Sequence, residues 1–483
     1  MIHTLTFEEE IQNYTDHQRA AAKLMEIVSD LWFKQSVELV LFRNQLFDRR
    51  MSFILQLHQQ SSALLDRNLS IWETLHIASV IQEMELPPSR IDIGTFATEM
   101  RAGRIEDQES RKFFIYKKLA TVIHYRAFEP KDVVLYGFGR IGRLLARELI
   151  GKAGGGKQLR LRAIVTRDRV DQQTLEKRAN LLRQDSIHGD FEGTIEIDVY
   201  KQALIINGIS VYILSAQAPE DIDYMTYDIR DALLIDNTGA FRDVQQLARH
   251  LQAGGIRQVL LTAPGKGIPN IVYGVNESQV QPLTTSLCSA ASCTTNAISP
   301  VLAVIEKELG IRRGHIETVH AYTNDQNLVD NMHKKTRRGR AAALNMVITE
   351  TGAGSAVAKA LPSLAGKLTS NAIRVPVPNG SLAILQLEVE RQCPKQELLA
   401  ILKNAALNGD LVEQIKYEEN ADLVSSDIIG TTAAAVIDAT ATIVSSDEKN
   451  ITLYVWYDNE CGYTHQVMRL ARHLAGVRRF TYY

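Results

Sequence analysis

The apolar positions of the first 128 residues recur with the spacing of amphipathic helices. Leu24, Val28 and Leu31 fall on one predicted helix face, and Ile77 and Ile81 fall on another. The pattern is interrupted near residue 68 and at the proline pair 87–88. It predicts an all-helical domain over residues 1–128, whose apolar faces pack against one another or against a partner.

Two helix starts in this region carry a recognisable cap. Thr6 is followed three residues later by Glu9, and Ser70 by Glu73, which is the spacing of a capping box. The region contains no cluster of catalytic residue types, and its basic side chains are interspersed with acidic ones. We therefore expect a role in assembly or regulation, through self-contact or contact with a partner.

After Pro130 the pattern changes to short apolar runs that alternate with helical segments. Such runs are typical of buried parallel strands, and residues 382–389 suggest a further, antiparallel sheet. The sequence thus predicts an α/β chain with a Rossmann-type parallel sheet and an α+β catalytic domain with a largely antiparallel sheet. The predicted domains are the helical extension over 1–128, a cofactor domain over 131–292 completed by a C-terminal helix at about 460–483, and a catalytic domain over 293–459.

A glycine-rich motif joins the first predicted strand to the helix that follows it. The sequence GFGRIGR at residues 137–143 matches G-x-G-x-x-G, and it stands between strand and helix as the dinucleotide-binding motif requires. The first glycine allows a tight turn, the second admits the pyrophosphate, and the third permits close helix–strand packing. The cofactor-binding candidates in this motif are Gly137, Gly139, Arg140, Ile141 and Gly142.

Loops at the carboxyl ends of the predicted parallel strands supply further candidates for cofactor binding. The second strand is followed by Arg167 and Asp168. An acid there binds the ribose hydroxyls of NAD, whereas an arginine meets the 2′-phosphate of NADP, so both cofactors remain open. Thr238, Gly239 and Thr262 follow the next two predicted strands, and they are contact candidates against the simpler interpretation as turn residues.

The sequence AASCTTN at residues 290–296 places a cysteine at the start of a predicted helix. The partial positive charge of a helix N-terminus favours the thiolate of Cys293, which is the nucleophilic form. A buried, inert cysteine is the alternative. His320 ends a predicted strand and has the chemistry to accept a proton from such a thiol, although spacing alone does not select it from 12 histidines.

Composition narrows the classes of function. A chain of 483 residues with a formal net charge of −2 is not built mainly to bind nucleic acid. Four cysteines without zinc-like spacing predict neither a disulfide framework nor a metal site. The N-terminus lacks the pattern of a signal peptide, and no apolar run is long enough for a membrane span. We expect a cytoplasmic protein without membrane or nucleic-acid partners.

Five motifs together resemble those of the phosphorylating glyceraldehyde-3-phosphate dehydrogenases. They occur in the order and spacing of that family, and the resemblance extends from about residue 131 to the C-terminus, leaving the first 130 residues outside it. The motifs are GFGRIGR at 137–143, SCTTN at 292–296, His320 with TNDQ at 323–326, AAA at 341–343 and WYDNE at 456–460.

The resemblance implies a mechanism with Cys293 as nucleophile and His320 as base. It implies a hemithioacetal, hydride transfer to nicotinamide, a thioester, and attack by inorganic phosphate that releases an acyl phosphate. Asn459 would hold the nicotinamide carboxamide, with Tyr463 stacking nearby. A homotetramer is implied as well, with the basic run at 333–340 at a subunit interface. The candidates for binding substrate or phosphate are Ser292, Thr294, Thr323, Asp325, Thr351, Gly352 and Arg374.

Several positions depart from the family pattern. Tyr136 precedes the first glycine where asparagine is usual, AQAP at 216–219 lacks an arginine–aspartate pair, and Cys461 replaces a threonine. Glu350 and Ser355 alter the surroundings of the phosphate loop. With Arg167, these changes leave the preference between NAD and NADP open. Erythrose 4-phosphate is an alternative substrate, and a regulatory or scaffolding role that uses the helical extension is an alternative of another class.

Overall fold

A computed structural model describes residues 6–61, 68–123, 128–477 and 479–483. The chain divides into two compact units. The first consists of Met1–Pro130, Ala153–Gln158 and Val477–Tyr483, and the second of Lys131–Lys152 and Leu159–Gly476.

The α-helices of the described residues are α1 (Phe7–Gln35), α2 (Met51–Gln60), α3 (Ile71–Gln82), α4 (Ile93–Ala102), α5 (Gln108–Ile123), α6 (Arg140–Gly151), α7 (Gln172–Arg183), α8 (Val244–Ala248), α9 (Cys293–Leu309), α10 (Ala353–Ala360), α11 (Lys395–Leu407) and α12 (Cys461–Leu474). The strands are β1 (Val37–Leu41), β2 (Asn44–Gln45), β3 (Ser89–Asp92), β4 (Lys131–Tyr136), β5 (Leu159–Thr166), β6 (Ile195–Asp198), β7 (Ala203–Ile206), β8 (Ile209–Ser215), β9 (Ala232–Asp236), β10 (Ile256–Leu261), β11 (Leu287–Ser289), β12 (Ile311–Ala321), β13 (Val347–Thr349), β14 (Leu368–Val375), β15 (Ser381–Val389), β16 (Ile415–Glu418), β17 (Ala435–Asp438), β18 (Ile443–Val444), β19 (Asn450–Tyr457) and β20 (Phe480–Tyr482).

The first unit is helical, as predicted, and both predicted capping boxes are present, at Thr6 with Glu9 and at Ser70 with Glu73. It is not purely helical, because it also contains a sheet in the order β2-β1-β3-β20. All five residues of β1 are buried, so this strand lies inside the core formed with the helices. The helical periodicity of the flanking segments gave no sign of these short strands.

The last strand of this sheet comes from the far end of the chain. β20 pairs in parallel with β3, with Phe480 beside Ser89 and Tyr482 beside Ile91. Tyr482 stacks on Phe96 with ring centroids 4.3 Å apart. The predicted C-terminal helix at about 460–483 is therefore too long: α12 ends at Leu474, and the tail after it belongs to the first unit.

The second unit begins with the predicted parallel sheet. Its order is β11-β10-β9-β4-β5-β8-β7-β6. The strands from β11 to β8 pair in parallel, and β7 and β6 extend the edge as antiparallel strands. The carboxyl ends of β4, β5, β9 and β10 therefore lie along one edge, where the predicted cofactor loops emerge.

The other sheet of this unit has the order β13-β14-β12-β15-β19-β17-β16, with β18 added beside β19. Most of its neighbours are antiparallel, as predicted, while β12 with β14 and β16 with β17 are parallel. α9 is buried along most of its length and joins a core with apolar residues of these strands. The sheet and α9 together hold the cysteine and the histidine.

No helix among the described residues is long and apolar enough to cross a membrane. Within the same described ranges, no group of three or more histidine, cysteine, aspartate or glutamate side chains is arranged to hold a metal ion.

Candidate active site

The thiol lies at the first turn of α9, in a loop fixed by its own side chains. The hydroxyl of Ser292 caps the helix by accepting a hydrogen bond of 3.1 Å from the backbone N–H of Thr295. The side-chain amide of Asn296 donates to the carbonyls of Ala290 and Ser292, at 2.8 and 2.9 Å. Cys293 is the first residue of the helix, so its Sγ is held where backbone N–H groups are unpaired.

His320 is delivered to the thiol from the end of β12. Its Nε2 lies 3.6 Å from the Sγ of Cys293. Its Nδ1 lies 2.7 Å from the carbonyl oxygen of Ala321 and 2.8 Å from the Nη1 of Arg374. A protonated Nδ1 donates to the carbonyl, whereas an unprotonated Nδ1 accepts from the guanidinium. In the first of these tautomers Nε2 faces the sulfur without a proton, which is the arrangement that a general base requires.

Burial disfavours a charge on either member of the pair. Burial raises the pKa of the Cys293 thiol, although the charge of Arg374 and a hydrogen bond from Thr294 act against it. Burial and the same guanidinium lower the pKa of His320 to about 3. These directions run against the expectation that the helix N-terminus favours the thiolate, because burial opposes the charged form of both groups.

A half-buried arginine, Arg374, lies beside the pair. Arg374 is in register with His320 on the neighbouring strand β14. Its Nη1 donates to the carbonyl of Ala321 at 2.8 Å and reaches the hydroxyl of Thr323 at 3.4 Å. Its Nε is buried without a hydrogen-bond partner among the described residues. An unpaired guanidinium N–H of this kind is suited to an anionic ligand.

Thr323 and Asp325 continue this polar row. The hydroxyl of Thr323 donates to the Asp325 carboxylate, which also forms an ion pair with Arg338. Burial alone would raise the pKa of Asp325, but Thr323 and Arg338 hold it below its ordinary value. Arg338 donates in addition to the hydroxyl of Thr349. Asp325 therefore holds both Thr323 and Arg338 in place.

Two tyrosines border the thiol. The hydroxyl of Tyr457 is 3.1 Å from that of Thr294, and the Tyr457 ring meets the His320 ring edge-on with centroids 5.9 Å apart. Tyr463 donates a hydrogen bond of 3.1 Å to the carbonyl of Ala291. Both rings are buried, so they shield the thiol side of the site from water.

Asn459 is oriented by a buried serine. The Ser381 hydroxyl donates to Oδ1 of Asn459 at 2.8 Å and accepts from the backbone N–H of Ala321 at 3.1 Å. With its oxygen held in this way, the side-chain amide presents its NH₂ group as the donor for a ligand. Ser381 thereby ties Asn459 to the residue that follows His320.

The glycine loop has the properties that a dinucleotide pyrophosphate needs. Gly137 has a φ of +96°, and a Cβ there would lie 2.9 Å from a Thr238 methyl. A Cβ on Gly142 would lie 2.4 Å from the carbonyl oxygen of Gly137. A Cβ on Gly139 would meet nothing within 4 Å, and Gly139 begins α6 without a side-chain cap. The open space and the uncapped N–H groups fit a phosphate.

The side chain of one predicted residue in this loop, Arg140, is held by two acids. The guanidinium of Arg140 is engaged by Glu460 at 2.6 Å and by Asp185 at 3.1 Å. Burial alone would raise the pKa of Asp185, but the His188 backbone N–H and Arg140 hold it well below its ordinary value. The Arg140 side chain is thus occupied, and the first-turn N–H groups of Arg140 and Ile141 remain for a cofactor.

The remaining cofactor candidates of the first sheet lie where the strand order predicts. Thr238 donates twice to the buried carboxylate of Asp236, from its backbone and its hydroxyl, at 2.8 and 2.7 Å. Gly239 has a φ of +63°, and the hydroxyl of Thr262 donates to the carbonyl of Asp236. Asp236 therefore organises both loops. Arg167 and Asp168 follow β5 directly and are exposed.

Two predicted phosphate ligands, Thr351 and Gly352, directly precede α10. Thr351 accepts a hydrogen bond at 3.2 Å from the backbone N–H of Ala353, and Gly352 is the uncapped residue before α10. Neither forms a hydrogen bond with Cys293, His320 or Arg374 in the part of the chain that the structure describes.

Family models match both halves of the second unit. One described as the glyceraldehyde 3-phosphate dehydrogenase NAD binding domain matches residues 131–244. Another, described as the C-terminal domain of the same enzyme, matches residues 292–459 and so includes the cysteine, the histidine and the arginine. The chain belongs to the glyceraldehyde-3-phosphate dehydrogenase family. It is an oxidoreductase of that type with a dinucleotide-binding domain.

Curated members of the glyceraldehyde-3-phosphate dehydrogenase family match over different lengths. A glyceraldehyde-3-phosphate dehydrogenase-like protein of Pseudomonas aeruginosa is 47% identical over 464 residues, covering 94% of this chain and 98% of that protein. Glyceraldehyde-3-phosphate dehydrogenase of Geobacillus stearothermophilus is 39% identical, covering 71% and 98%, and that of Streptomyces coelicolor is 38% identical, covering 70% and 96%. The first match therefore includes most of the N-terminal unit, which the other two lack.

Three residues of this dehydrogenase site were not predicted from the sequence. Ser381 donates a hydrogen bond to Asn459, and Arg338 forms an ion pair with Asp325. The hydroxyl of Tyr457 lies within hydrogen-bond distance of that of Thr294. Ser381 carried no signal, because a serine at the start of a strand is common. Arg338 lies in the basic run at 333–340, which we assigned to a subunit interface. Tyr457 lies within the WYDNE motif at 456–460, and that position was the only sequence signal for it.

Proposed function

We propose that the protein catalyses the reversible phosphorylating oxidation of glyceraldehyde 3-phosphate to 1,3-bisphosphoglycerate, in glycolysis or gluconeogenesis. The observation that carries the proposal is the 3.6 Å separation between the Cys293 Sγ and the His320 Nε2, with the guanidinium of Arg374 alongside, whose Nε is buried. A nucleophile, a base and a cationic phosphate site are thus combined in one place.

The first step is the attack of the Sγ of Cys293 on the aldehyde carbon, while the thiol proton passes to Nε2 of His320. The imidazolium then returns this proton to the alkoxide oxygen, which gives a hemithioacetal and a neutral imidazole. When bound, NAD or NADP supplies the hydride acceptor for oxidation of this adduct. The hydroxyl proton goes to the imidazole as the base, and Cys293 is left as a thioester. The buried Tyr457 and Tyr463 keep water from hydrolysing it.

Inorganic phosphate then attacks the thioester carbon, the carbon–sulfur bond breaks, and the acyl phosphate leaves. This chemistry needs two anion sites. We assign the substrate phosphate to Arg374, Thr323 and Asp325, with Asp325 positioning Thr323. We assign the attacking phosphate to Ser292, Thr294, Thr351 and Gly352. The unpaired Nε of Arg374 supports the first assignment.

We assign the dinucleotide to the glycine loop and the loops beside it. Gly137, Gly139 and Gly142, with the N–H groups of Arg140 and Ile141, receive the pyrophosphate. Thr238, Gly239 and Thr262 border it, and Asn459 receives the nicotinamide carboxamide with Tyr463 nearby. The open space at Gly139 and the orientation of Asn459 by Ser381 support this assignment.

We further propose a cytoplasmic homotetramer, with the basic run at 333–340 near a subunit interface, and an assembly or regulatory role for residues 1–128. The division of the second unit into a cofactor domain over 131–292 and a catalytic domain over 293–459 is also retained as a proposal. Sedimentation of the full chain, and of a chain lacking residues 1–128, measures the mass of each assembly. An unchanged mass and turnover would remove the proposed role of the extension.

The activity is tested by following dinucleotide reduction at 340 nm with glyceraldehyde 3-phosphate, with and without inorganic phosphate. We expect sustained turnover only with phosphate, and faster turnover than with erythrose 4-phosphate. Cys293→Ser should abolish it, whereas Cys393→Ser, at a buried thiol outside the site, should retain it. Full activity in Cys293→Ser, or turnover that ignores phosphate, would contradict the proposal.

A further inference from the structure

The adenosine end of the dinucleotide cleft is positively charged. Arg167 is the first residue after β5 and is exposed, and β5 is the direct neighbour of β4, which leads into the glycine loop. In this type of sheet, the residue at the end of the second parallel strand faces the adenosine ribose. A guanidinium therefore occupies the position from which the ribose substituents are recognised.

The carboxylate that follows Arg167 in the sequence, Asp168, is already paired with a positive charge. Asp168 forms an ion pair with Arg178, which comes from α7. An acid that binds ribose hydroxyls as an acceptor needs its oxygens available, and Asp168 shares one of them with a guanidinium. The charges of Arg167, Asp168 and Arg178 together sum to +1, so a phosphate at this place is attracted and not repelled.

The other acids near the end of β4 are engaged as well. Glu220 is held by Arg249 at 2.7 Å. Asp221 accepts hydrogen bonds from the backbone N–H groups of Gln217 and Ala218, at 3.0 and 2.7 Å. These acids lie in the loop after β8, where the side-chain amide of Gln217 also fixes the carbonyl of Arg167 at 2.9 Å. The loop thus orients the backbone of Arg167 without placing a free carboxylate against its guanidinium.

The positive charge of Arg167 affects the pKa of Tyr136. Burial raises the pKa of Tyr136 to about 12, with Asp236 adding to the rise, and Arg167 is the positive group that opposes it. Tyr136 is the last residue of β4 and directly precedes Gly137. The guanidinium of Arg167 therefore acts on the strand end at which the cofactor enters, and not only on solvent.

We infer that this site prefers NADP to NAD, with Arg167 binding the 2′-phosphate of the adenosine ribose and Arg178 keeping Asp168 neutralised. The inference rests on the proposed function for the presence of a dinucleotide, and it adds which one is favoured. The planar guanidinium suits a phosphate, because it donates two parallel charge-assisted hydrogen bonds. NAD gains no such pair, and its ribose hydroxyls meet a carboxylate that Arg178 already holds.

Equilibrium binding tests this directly, without turnover. Calorimetric titration of the full-length protein with NADPH and with NADH should give a dissociation constant at least about tenfold lower for NADPH. Adenosine 2′,5′-bisphosphate should likewise bind more tightly than 5′-AMP. Arg167→Ala should weaken NADPH about tenfold and leave NADH within twofold. Arg160→Ala removes the same charge near the opposite end of β5 and should change neither constant.

The outcomes distinguish a failure of the inferred NADP preference from a failure of the proposed dehydrogenase function. Equal or tighter binding of NADH by the unmodified protein, or an equal loss for both dinucleotides in Arg167→Ala, would overturn the inference. If NADH binds more tightly and glyceraldehyde 3-phosphate is still oxidised, the proposed function stands alone. If neither dinucleotide binds to folded protein, both fail.

Discussion

Replacing Ser381 by alanine should disturb the cofactor side and the base side of the site together. Its hydroxyl joins Oδ1 of Asn459 to the backbone N–H of Ala321, and all of these groups are buried. Ser381→Ala therefore deletes two hydrogen bonds and leaves one acceptor and one donor without a partner.

The magnitude follows from that count. Each buried polar group left without a partner costs about 1–3 kcal/mol, so two of them predict a loss of roughly 2–6 kcal/mol in the free energy of unfolding. Asn459 also loses the contact that directs its NH₂ group. The loss of one oriented hydrogen bond to a ligand is about 1 kcal/mol, which corresponds to roughly fivefold weaker dinucleotide binding.

Two measurements check this prediction: urea unfolding followed by circular dichroism, and calorimetric titration with the dinucleotide. Ser299→Ala is the matched control, because Ser299 is equally buried and its hydroxyl has no hydrogen-bond partner among the described residues. The control should change stability by about 0.5 kcal/mol or less. If Ser381→Ala is no less stable than Ser299→Ala and binds the dinucleotide equally well, the assignment of Ser381 as a positioning residue is refuted.

Three further changes are predicted. Arg374→Lys keeps the charge but loses the guanidinium fork, so KM for the phosphorylated aldehyde should rise at least about tenfold in steady-state assays, while an unphosphorylated aldehyde is affected less. His320→Gln should make the protein less sensitive to acid. The pKa of His320 in the folded protein is about 3, below the ordinary 6.5, so between these two pH values the unfolded state binds more protons than the folded state. The free energy of unfolding therefore falls by about 1.4 kcal/mol per pH unit as the pH is lowered through this range. Urea unfolding at pH 6.5 and 4.5 measures the difference. Deleting residues 480–483 removes β20 and should lower the melting temperature of the first unit by several degrees.

Each of these has a result that would count against it. An equal rise in KM for both aldehydes would separate Arg374 from the phosphate. Identical acid sensitivity in His320→Gln and the unmodified protein would show that the imidazole is not buried neutral. For the deletion, an unchanged protection of β3 amides in hydrogen exchange would show that β20 does not stabilise its neighbour.

The fold of the second unit could be predicted because its signals are local. The glycine motif at 137–143 stands between an apolar strand and an amphipathic helix, and the structure has β4 and α6 there. The observed parallel sheet and the family model described as an NAD binding domain both agree with the predicted Rossmann-type sheet. The proximity of Cys293 to His320 is different, because it depends on how α9 packs on β12, and only the resemblance to a family paired the two residues in advance.

The sequence could not supply what depends on distant pairing or on burial. β20 joins β3 across most of the chain, and no local pattern marks Phe480 as the partner of Ser89. The prediction for Cys293 used the helix N-terminus alone, whereas burial acts in the opposite direction and raises the pKa of the thiol. The ion pairs of the Arg140 guanidinium with Glu460 and Asp185 could not be predicted either, because both acids are distant from Arg140 in the sequence.

The central claim is that Cys293 carries the oxidised substrate as a thioester. A single turnover with glyceraldehyde 3-phosphate and the dinucleotide, without inorganic phosphate, followed by acid quench and peptide mass spectrometry, tests it most directly. We expect the peptide that contains Cys293 to carry the added mass of a phosphoglyceroyl group, and we expect inorganic phosphate to remove that group. A reduced dinucleotide without any acyl group on Cys293, or with the group on another residue, would contradict it.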